Sequence, residues 1–461
     1  MTAITTSEAH LVRRLGLFDT TMIVMGGIIG SGIFINPYVV AQQVPSKTLI
    51  LGAWAFGGLI ALAGAFIYAE LSSQMSASGG QYVYLRDAFH PALAFVYGWA
   101  LLLVTQTGGM AAVAVTFAKY ACSLGHAQAS DNFAAFLAAL ALTILTIINC
   151  LGVRAGSTTQ NVFMILKLVA IAALVAFGLT VTGAPTSAIA TPSAVASGGS
   201  TLSPPGVWNS LIAFGAALIP VQFAYGGWQT SCFVAGEVRE PRKNLPRGLL
   251  LGVVGVIAVY LSVNFVCVQA LGPQGLGQTT TPASAVMRLA LGESGARIIA
   301  IGIAVSTVGF LSQSMLTAPR VYFAMAEDGL FFTSLAKLNR ARVPAFAIAL
   351  QGALAIVITL SGRYEQILNY VISVDVIFFA LTAATVFVFR RRAKTNPSLL
   401  KASPARTPGH PFTTLFFIVA CGGVAFSTLY RYPHNSLIGL GIMLTGLPAY
   451  LFWKTRGSAS R

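Results

Sequence analysis

The sequence has very little charge for its length. Asp, Glu, Lys and Arg make up 9% of its 461 residues, whereas hydrophobic residues make up 56%. A soluble globular domain carries about 25% charged residues, and a run of roughly 18 or more apolar residues is typical of a membrane-spanning helix. Because such runs recur along the chain, the composition excludes an ordinary soluble domain. It predicts an all-α polytopic membrane protein that folds as one bundle.

The sequence also lacks the patterns of most catalytic and cofactor sites. Its five cysteines form no CxxC pair and its five histidines do not cluster, so we predict no metal site. No phosphate-binding GxxxxGK[ST] loop is present, and no paired carboxylates or nucleophile motif indicates hydrolysis. We therefore expect no enzymatic activity, no metal and no cofactor.

Apolar segments predict about twelve membrane spans. With the N-terminus in the cytoplasm, 21 Lys and Arg residues fall on the cytoplasmic side and six on the opposite side. This asymmetry follows the positive-inside rule. The net charge of +16 therefore indicates a membrane orientation with both termini cytoplasmic, and it does not indicate nucleic-acid binding. The predicted spans are centred on 18–42, 48–70, 92–122, 132–152, 158–182, 208–235, 247–271, 296–325, 344–361, 366–389, 412–430 and 435–453.

A Ser/Thr/Pro/Gly-rich stretch after the fifth span divides the first ten spans into five and five. An odd-numbered unit reverses its orientation when it repeats, so this division predicts an inverted repeat, with two added C-terminal helices. A second outer connection, 272–295, is predicted to carry a short helix around Ala283–Leu291. The predicted organisation is a cytoplasmic tail (1–17), a first five-helix repeat (18–183), an extracytoplasmic linker (184–206), a second, inverted repeat (207–390), a basic cytoplasmic loop (391–411), helices 11–12 (412–454) and a cytoplasmic tail (455–461).

Two spans in corresponding positions contain paired glycines near their middle. Span one carries GGIIGSG from Gly26 to Gly32, and span six carries FAYGGWQTS from Phe223 to Ser231. Gly26 and Gly30 also have the GxxxG spacing of close helix packing, but packing does not predict the matching feature in span six. Paired interruptions of this kind indicate a transporter binding site formed by two broken helices.

An interrupted helix exposes backbone groups that fit both ends of an amino acid. Freed amides at a half-helix N-terminus attract a carboxylate, because the helix dipole favours negative charge there, and freed carbonyls accept from an ammonium group. Phe223, Tyr225 and Trp228 flank the second break. Each of them either packs in the bundle or closes the site over a bound side chain. The two breaks together suit a zwitterionic ligand.

Lys167 lies well inside an apolar span that contains no acid. A lone charge at the bilayer centre costs about 2.5–3.5 kcal/mol on insertion scales. The side chain either snorkels to the cytoplasmic surface or lies among carbonyls of the broken helix, where it could exchange a proton during a transport cycle. We favour the second interpretation and predict a coupling role for Lys167.

Acidic residues are few, and most lie at predicted cytoplasmic span ends. Near arginines at those ends we expect gate or anchoring ion pairs from Glu70, Glu237, Glu240, Glu327 and Asp328. Asp375 lies within span ten, where we expect it to pair or hydrogen-bond inside the bundle. A cationic substrate would require an acid in the binding site, and the sequence assigns none there.

Four motifs in order resemble the amino acid–polyamine–organocation superfamily over essentially the whole chain. They are RRLGLFD followed by GGIIGSGIF, the span-five lysine, FAYGGWQTSCFVAGEVREPRKNLPRG and TAPRVYFAMAEDG. Within the superfamily, FAYGGW and the E-V-x-x-P-x-x-N-L-P-R run are most similar to the L-type amino acid transporter branch and its bacterial relatives. The resemblance implies the five-plus-five inverted-repeat fold with broken helices 1 and 6.

The resemblance also implies which residues bind substrate. In the family, amides of the GSG turn hold the substrate carboxylate, and carbonyls of the span-six break receive the amine. One of the span-six residues, Phe223, would also be the aromatic gate. The corresponding positions here are Gly30, Ser31 and Gly32 for the carboxylate, with the Ile28 carbonyl on the amine side, and Phe223, Ala224 and Gly226 for the amine.

Lys167 would stand where sodium-coupled relatives hold a sodium ion, so the resemblance implies sodium-independent transport. Its expected partners are a span-one carbonyl near Gly26 or Gly27 and a span-eight hydroxyl at Ser306 or Thr307.

The implied function is secondary active transport of neutral L-amino acids by alternating access in the inner or plasma membrane, as an exchanger or a proton-coupled importer. A polyamine or cationic amino acid antiporter and a non-transporting amino acid sensor are the alternatives. Animal L-type transporters join a heavy chain through an extracellular cysteine after span three, whereas the loop LGHAQASD has none and Cys122 lies earlier. We therefore expect the amino acid and the lipid bilayer as partners, and no disulfide-linked heavy chain.

Overall fold

The computed structural model describes residues 11–75, 77–124, 130–181, 207–361, 364–395 and 405–459. The predicted linker 184–206 lies outside these residues. So do the first ten residues of the N-terminal tail, most of the loop LGHAQASD, the middle of the basic loop at 396–404 and the end of the C-terminal tail.

The described chain is almost entirely helical, as the composition predicts. In a bilayer the helix satisfies every backbone donor and acceptor within one segment. The helices, numbered in chain order, are α1 (Leu17–Ile28), α2 (Gly32–Gln43), α3 (Lys47–Gln74), α4 (Gln81–Ala88), α5 (Pro91–Ala100), α6 (Gln106–Leu124), α7 (Asp131–Cys150), α8 (Val153–Gly178), α9 (Val207–Tyr225), α10 (Pro241–Gln278), α11 (Pro282–Thr317), α12 (Pro319–Glu327), α13 (Ala345–Ser361), α14 (Tyr364–Thr395), α15 (Phe412–Arg431), α16 (Pro433–Leu444) and α17 (Gly446–Ala459). A π-helical turn at Leu101–Thr105 joins α5 to α6, and 3-10 segments lie at Trp228–Glu237 and Thr333–Ala336.

Eleven helical stretches among the described residues are long and apolar enough to cross a membrane. Large apolar side chains on outward faces, such as Phe136 (61% exposed) and Val419 (71% exposed), suit contact with lipid rather than water. The predicted polytopic all-α architecture is confirmed. The predicted count of about twelve spans depends on α13, which is apolar but has only 17 residues.

Both predicted helix interruptions are present. The first span divides into α1, ending at Ile28, and α2, beginning at Gly32. The sixth divides into α9, ending at Tyr225, and the 3-10 segment that begins at Trp228. These two breaks create the irregular backbone on which the binding-site hypothesis rests, while the five-plus-five inverted repeat stays a prediction.

The two breaks touch each other through backbone atoms. A Cβ added to Gly27 would lie 2.7 Å from the carbonyl oxygen of Gly227, and a Cβ added to Gly227 would overlap the carbonyl oxygen of Gly27. Gly227 also has φ +107°, a conformation that side chains with a Cβ rarely adopt. Glycine is therefore required at this contact for both conformation and space.

The outer connection at 272–295 is more helical than predicted. Helix α10 continues to Gln278 past a kink at Gly272, and α11 begins at Pro282 and kinks at Gly292. The helix expected around Ala283–Leu291 is present as the first part of α11. Positive φ angles at the two kink glycines (67° and 66°) explain the changes of direction.

The contact between the breaks generates a stability prediction. Gly227→Ala places a methyl group against the Gly27 carbonyl, and its strained backbone alone costs about 1–3 kcal/mol. We expect a lower midpoint of thermal unfolding for the purified protein in detergent, measured by tryptophan fluorescence.

Gly226→Ala is the matched control. A Cβ at this neighbouring position meets its nearest atom, the carbonyl oxygen of Gln222, at an ordinary 3.4 Å, and Gly226 has no positive φ. Equal unfolding midpoints for the two variants would contradict the proposed requirement at Gly227.

Candidate functional site

A cavity lies between the two breaks and is closed by α6, α11 and α14. All seven residues predicted to bind substrate line it, namely Ile28, Gly30, Ser31, Gly32, Phe223, Ala224 and Gly226. The volume available to the centres of water-sized molecules is about 70 Å³. One water needs roughly 10–15 Å³ on this measure. The cavity therefore holds a small solute, and the sequence prediction brought together residues that are almost 200 positions apart.

The first break presents free amides to this cavity. In the described chain, the N–H of Gly30 donates to the carbonyl of Ile28 at 2.9 Å, whereas no backbone acceptor pairs with the N–H groups of Ser31 and Gly32. Both amides stand at the N-terminus of α2, where the helix dipole favours negative charge. The hydroxyl of Ser31 is also buried without a hydrogen-bond partner. This end of the cavity is suited to a carboxylate.

The second break presents the C-terminal end of α9 to the same cavity. The N–H of Gly227, which would continue the helical ladder, donates instead to Oε1 of Gln229 at 3.0 Å. The last carbonyls of a helix have no intrahelical donor, and they carry the negative end of its dipole. This side of the cavity is suited to an ammonium group.

Tyr260 of α10 joins the two breaks. Its buried hydroxyl lies 2.9 Å from the carbonyl oxygen of Ile28 and 3.0 Å from that of Ala224. Because the hydroxyl has a single proton, it donates to one of these carbonyls at a time. The Ile28 carbonyl, predicted to face the substrate amine, also accepts from the Gly30 amide. No sequence feature indicates the role of Tyr260, because a tyrosine in an apolar span is most often a packing residue.

The three aromatic residues around the second break have different surroundings. Phe223 lines the cavity and packs against Ala111, Ala112 and Val371. Tyr225 packs on the rings of Trp54 and Tyr260, and Trp228 packs on Tyr68 and Phe379. Only Phe223 of the three lies on the cavity wall, which is consistent with the predicted gate position.

Lys167 is fully buried behind the first break and donates to the carbonyl of Ile29. The expectation of a partner at Gly26 or Gly27 is wrong, because Lys167 bonds the carbonyl of Ile29, two residues after Gly27. Ile29 follows the last residue of α1, where the helix no longer supplies a donor to the carbonyl. The hydroxyl of Thr307 donates to its own helix, to Ile303 and Ala304, and Ser306 Oγ has no partner in the described chain. The side chain does not snorkel.

Several residues on the cavity wall were not assigned to a site from the sequence. The π-helical turn at Leu101–Thr105 brings Leu101 and Thr105 to the cavity, and single π turns often mark functional sites. Asp375 of α14 also lines the cavity. Its position in the middle of an apolar span was the one available signal, because intramembrane acids are expensive and usually functional.

Ion pairs tie the bundle together at the end that carries the N-terminus. Arg320 and Glu237 form a pair at 2.8 Å with both side chains fully buried. Arg390 pairs with Glu70 at 2.8 Å and Arg86 pairs with Asp328 at 2.7 Å. These contacts confirm the predicted ion pairs for three of the acids.

Arg86 and Asp328 lie outside the membrane spans. Burial alone would lower the pKa of Arg86, but hydrogen bonds to Asp87 and Asp328 outweigh it and raise the pKa above its usual value. The guanidinium therefore stays charged throughout the physiological range.

A second cavity, of about 500 Å³, lies at the opposite end of the bundle, between α2, α6, the connection from α10 to α11 and the first half of α11. Its polar and charged lining includes Tyr38, Lys119, Tyr120, Arg288 and Arg297. The two ends of the bundle thus differ: buried ion pairs join one, and a polar vestibule indents the other.

Comparison with known proteins agrees with this geometry. Residues 15–447 match the amino acid permease family. The chain is 30% identical over 458 residues to the serine/threonine exchanger SteT of Bacillus subtilis, an alignment that covers 98% of this chain and 99% of that protein. It is 31% identical over 460 residues to the large neutral amino acids transporter small subunit 2 of Mus musculus, covering 96% and 82%.

A third relative, the b(0,+)-type amino acid transporter 1 of Mus musculus, is 29% identical over 386 residues, covering 82% of this chain and 76% of that protein. The resemblance inferred from the motifs is confirmed over nearly the whole length. Two broken helices lie around a small cavity in a bundle of apolar helices, and residues 15–447 match one family. The chain therefore belongs to the amino acid permease family and is a multi-pass membrane transporter of amino acids.

Proposed function

We propose that the protein exchanges small neutral L-amino acids across the plasma membrane without sodium, by alternating access. The observation that carries this proposal is the opposition of free amides at Ser31 and Gly32 to the C-terminal end of α9 across one small cavity. A zwitterion satisfies both groups at once. The names of two relatives, a serine/threonine exchanger and a large neutral amino acids transporter, support neutral amino acids as the substrate class, and the small cavity supports the smaller of them.

Roles for the cavity residues follow from their positions. The Ser31 and Gly32 amides hold the carboxylate, with Gly30 shaping the turn. The last turn of α9, including Phe223 and Ala224, receives the ammonium group together with Gly226. The ring of Phe223 covers the bound side chain. Tyr260 shares its one hydroxyl proton between the carbonyls of Ile28 and Ala224, so one of the two is open to the ammonium group at a time.

The proposed independence from sodium rests on Lys167. Its ammonium group already donates to the Ile29 carbonyl, so the carbonyl oxygens at this end of α1 face a positive charge whenever Lys167 is protonated. A second cation placed beside it would be repelled, because like charges at close range in a poorly hydrated interior interact strongly.

The proposed orientation places both termini in the cytoplasm, because 21 Lys and Arg residues lie on that side and six on the other. The chain is proposed to act without a disulfide-linked partner. The ground for this is the loop LGHAQASD, which contains no cysteine, and Cys122, near the end of α6, is partly buried.

A cationic amino acid or polyamine antiporter is the second candidate. One observation favours it: the carboxylate of Asp375 lines the cavity. Such a substrate would place a second positive charge beside this acid.

Counterflow in proteoliposomes tests the main proposal. We expect labelled serine or alanine to enter vesicles preloaded with unlabelled neutral amino acid, at the same rate in sodium and in choline buffer. Vesicles preloaded with buffer alone give the uncoupled rate.

Absence of uptake under every preload, with or without a pH gradient, would contradict transport and favour a sensor that binds without flux. Uptake of ornithine or putrescine in place of serine and alanine would favour the second candidate.

The proposed role of Lys167 generates a further prediction. Lys167→Met keeps the length of the side chain but removes its charge and leaves the Ile29 carbonyl buried without a donor, which costs about 1–3 kcal/mol. We expect exchange of serine to slow at least ~10-fold, and the dependence of uptake on pH between 5 and 9 to change shape.

Lys119→Met is the matched control, because Lys119 is exposed at the vestibule and has no contact with the first break. An unchanged rate and an unchanged pH profile in Lys167→Met would remove Lys167 from the coupling mechanism.

A further inference from the structure

Asp375 is the one charged side chain among the described residues that line the cavity. It lies in the middle of α14, and its cavity-facing neighbours along that helix are apolar: Val371, Ile372, Val376 and Phe379. The seven residues of the two breaks line the same cavity. A ligand whose backbone groups occupy the breaks therefore extends its side chain into a space that an aspartate borders.

The carboxylate of Asp375 has no hydrogen bond or ion pair with any residue in the described part of the chain. Lys167, the buried cation behind the first break, donates to the Ile29 carbonyl. The titratable neighbours of Asp375 are Tyr68, Tyr97 and Cys421, each also buried. None of these neighbours carries a positive charge, so the acid is left for a solute to pair with.

Other polar side chains that line the cavity also lack a hydrogen-bond partner in the described chain. Thr105 Oγ1, Gln222 Nε2 and Ser314 Oγ are buried and have no hydrogen-bond partner in the described chain. Native interiors leave few such groups unsatisfied. A cavity that contains these groups together with a carboxylate is built for a side chain that itself makes hydrogen bonds.

The size of the cavity selects among such side chains. A long cationic side chain would need more room than a space that holds only a few water molecules. A hydroxyl on the first carbon of the side chain fits in the space of one methyl group and can donate to a carboxylate. A methyl group at the same place would leave the acid without a donor, which is the more costly state.

We propose that Asp375 is a specificity-determining residue that accepts a hydrogen bond from the substrate side chain, so that the transporter prefers small hydroxyl amino acids to their apolar isosteres. This inference rests on the proposed exchange function and assigns its substrate class. The hydroxyl donates to a carboxylate oxygen of Asp375, and the Thr105 and Gln222 groups complete its environment.

The test compares exchange of serine with exchange of 2-aminobutyrate, which replaces the hydroxyl by a methyl group, in proteoliposomes. A hydrogen bond to a charged group corresponds to about a 10-fold to 100-fold preference, so we expect wild-type kcat/KM to favour serine by at least ~10-fold. In Asp375→Leu this ratio should fall to near unity or invert, while exchange of alanine continues. Asp375→Asn, which keeps an acceptor but loses the charge, should give an intermediate ratio.

Val376→Leu is the control, since it adds bulk to the adjacent position of the cavity wall without changing the acid. Should Asp375→Leu lose alanine exchange as well, Asp375→Asn supplies the comparison. The inference is overturned if the serine to 2-aminobutyrate ratio of kcat/KM is near unity in the wild type, or if it is the same in the wild type and in both Asp375 variants. If the wild type still exchanges alanine in that case, the proposed function stands.

Two other results would assign the acid differently. Loss of proton-driven uptake in Asp375→Asn with an unchanged serine preference would make Asp375 a proton carrier. A preference for ornithine over serine that disappears in Asp375→Leu would make it a counterion for a cationic side chain. Both results overturn the hydroxyl assignment. Absence of amino acid exchange in the wild type itself would instead refute the proposed function.

Discussion

Unpaired backbone groups at membrane depth are the constraint on which the structure of this protein depends. A chain that breaks two helices in the middle of a bilayer must find partners for the freed amides and carbonyls, since hydrocarbon offers none. The bundle supplies them from side chains at fixed places. Tyr260 bridges the carbonyls of Ile28 and Ala224, Lys167 serves that of Ile29, and Gln229 accepts from the amide of Gly227. The amides of Ser31 and Gly32 have no backbone acceptor in the described chain, and both residues line the cavity. A ligand in the cavity can therefore accept hydrogen bonds from them.

The same constraint explains the choice of residues around the breaks. The two irregular segments can share one tyrosine only if their backbones approach closely, and Gly27 and Gly227 permit that approach because neither carries a Cβ. Lys167 satisfies a carbonyl that the first break leaves free. A buried ammonium is costly in an apolar span, but beside the C-terminal end of α1 it meets a free carbonyl and the negative end of a helix dipole. The glycines allow the two breaks to lie in contact, and Lys167 donates to a carbonyl that the first break exposes.

Much of this arrangement could be predicted from the sequence, because glycine pairs and a lone lysine are conspicuous in apolar spans. The breaks and the burial of Lys167 follow from such local signals, whereas the seven cavity residues were assigned through the resemblance to the transporter superfamily. The exact partner of Lys167 does not follow from local signals, since the choice between Gly27 and Ile29 depends on how far α8 is displaced along the axis of α1. The orientation of Asp375 was equally out of reach. When apolar residues lie on all sides of a membrane span, the sequence does not indicate which side faces the bundle interior. Successive residues differ in direction by about 100°, so an error of one residue would point Asp375 away from the cavity.

The second break connects the cavity mechanically to the closed end of the bundle. The 3-10 segment that starts at Trp228 ends at Glu237, whose carboxylate pairs with Arg320 and whose carbonyl accepts from the amides of Arg14 and Leu15. Removing one partner of a buried pair of this kind leaves an uncompensated charge and costs about 3–5 kcal/mol, so Arg320 and Glu237 depend on each other while this end is closed. A ligand can shift the equilibrium between open and closed arrangements only by binding one arrangement more tightly than the other. The ten-residue segment Trp228–Glu237 contributes Gln229 and Thr230 to the cavity wall at one end and Glu237 to the ion pair at the other, so the ligand site and the ion pair share one short stretch of backbone.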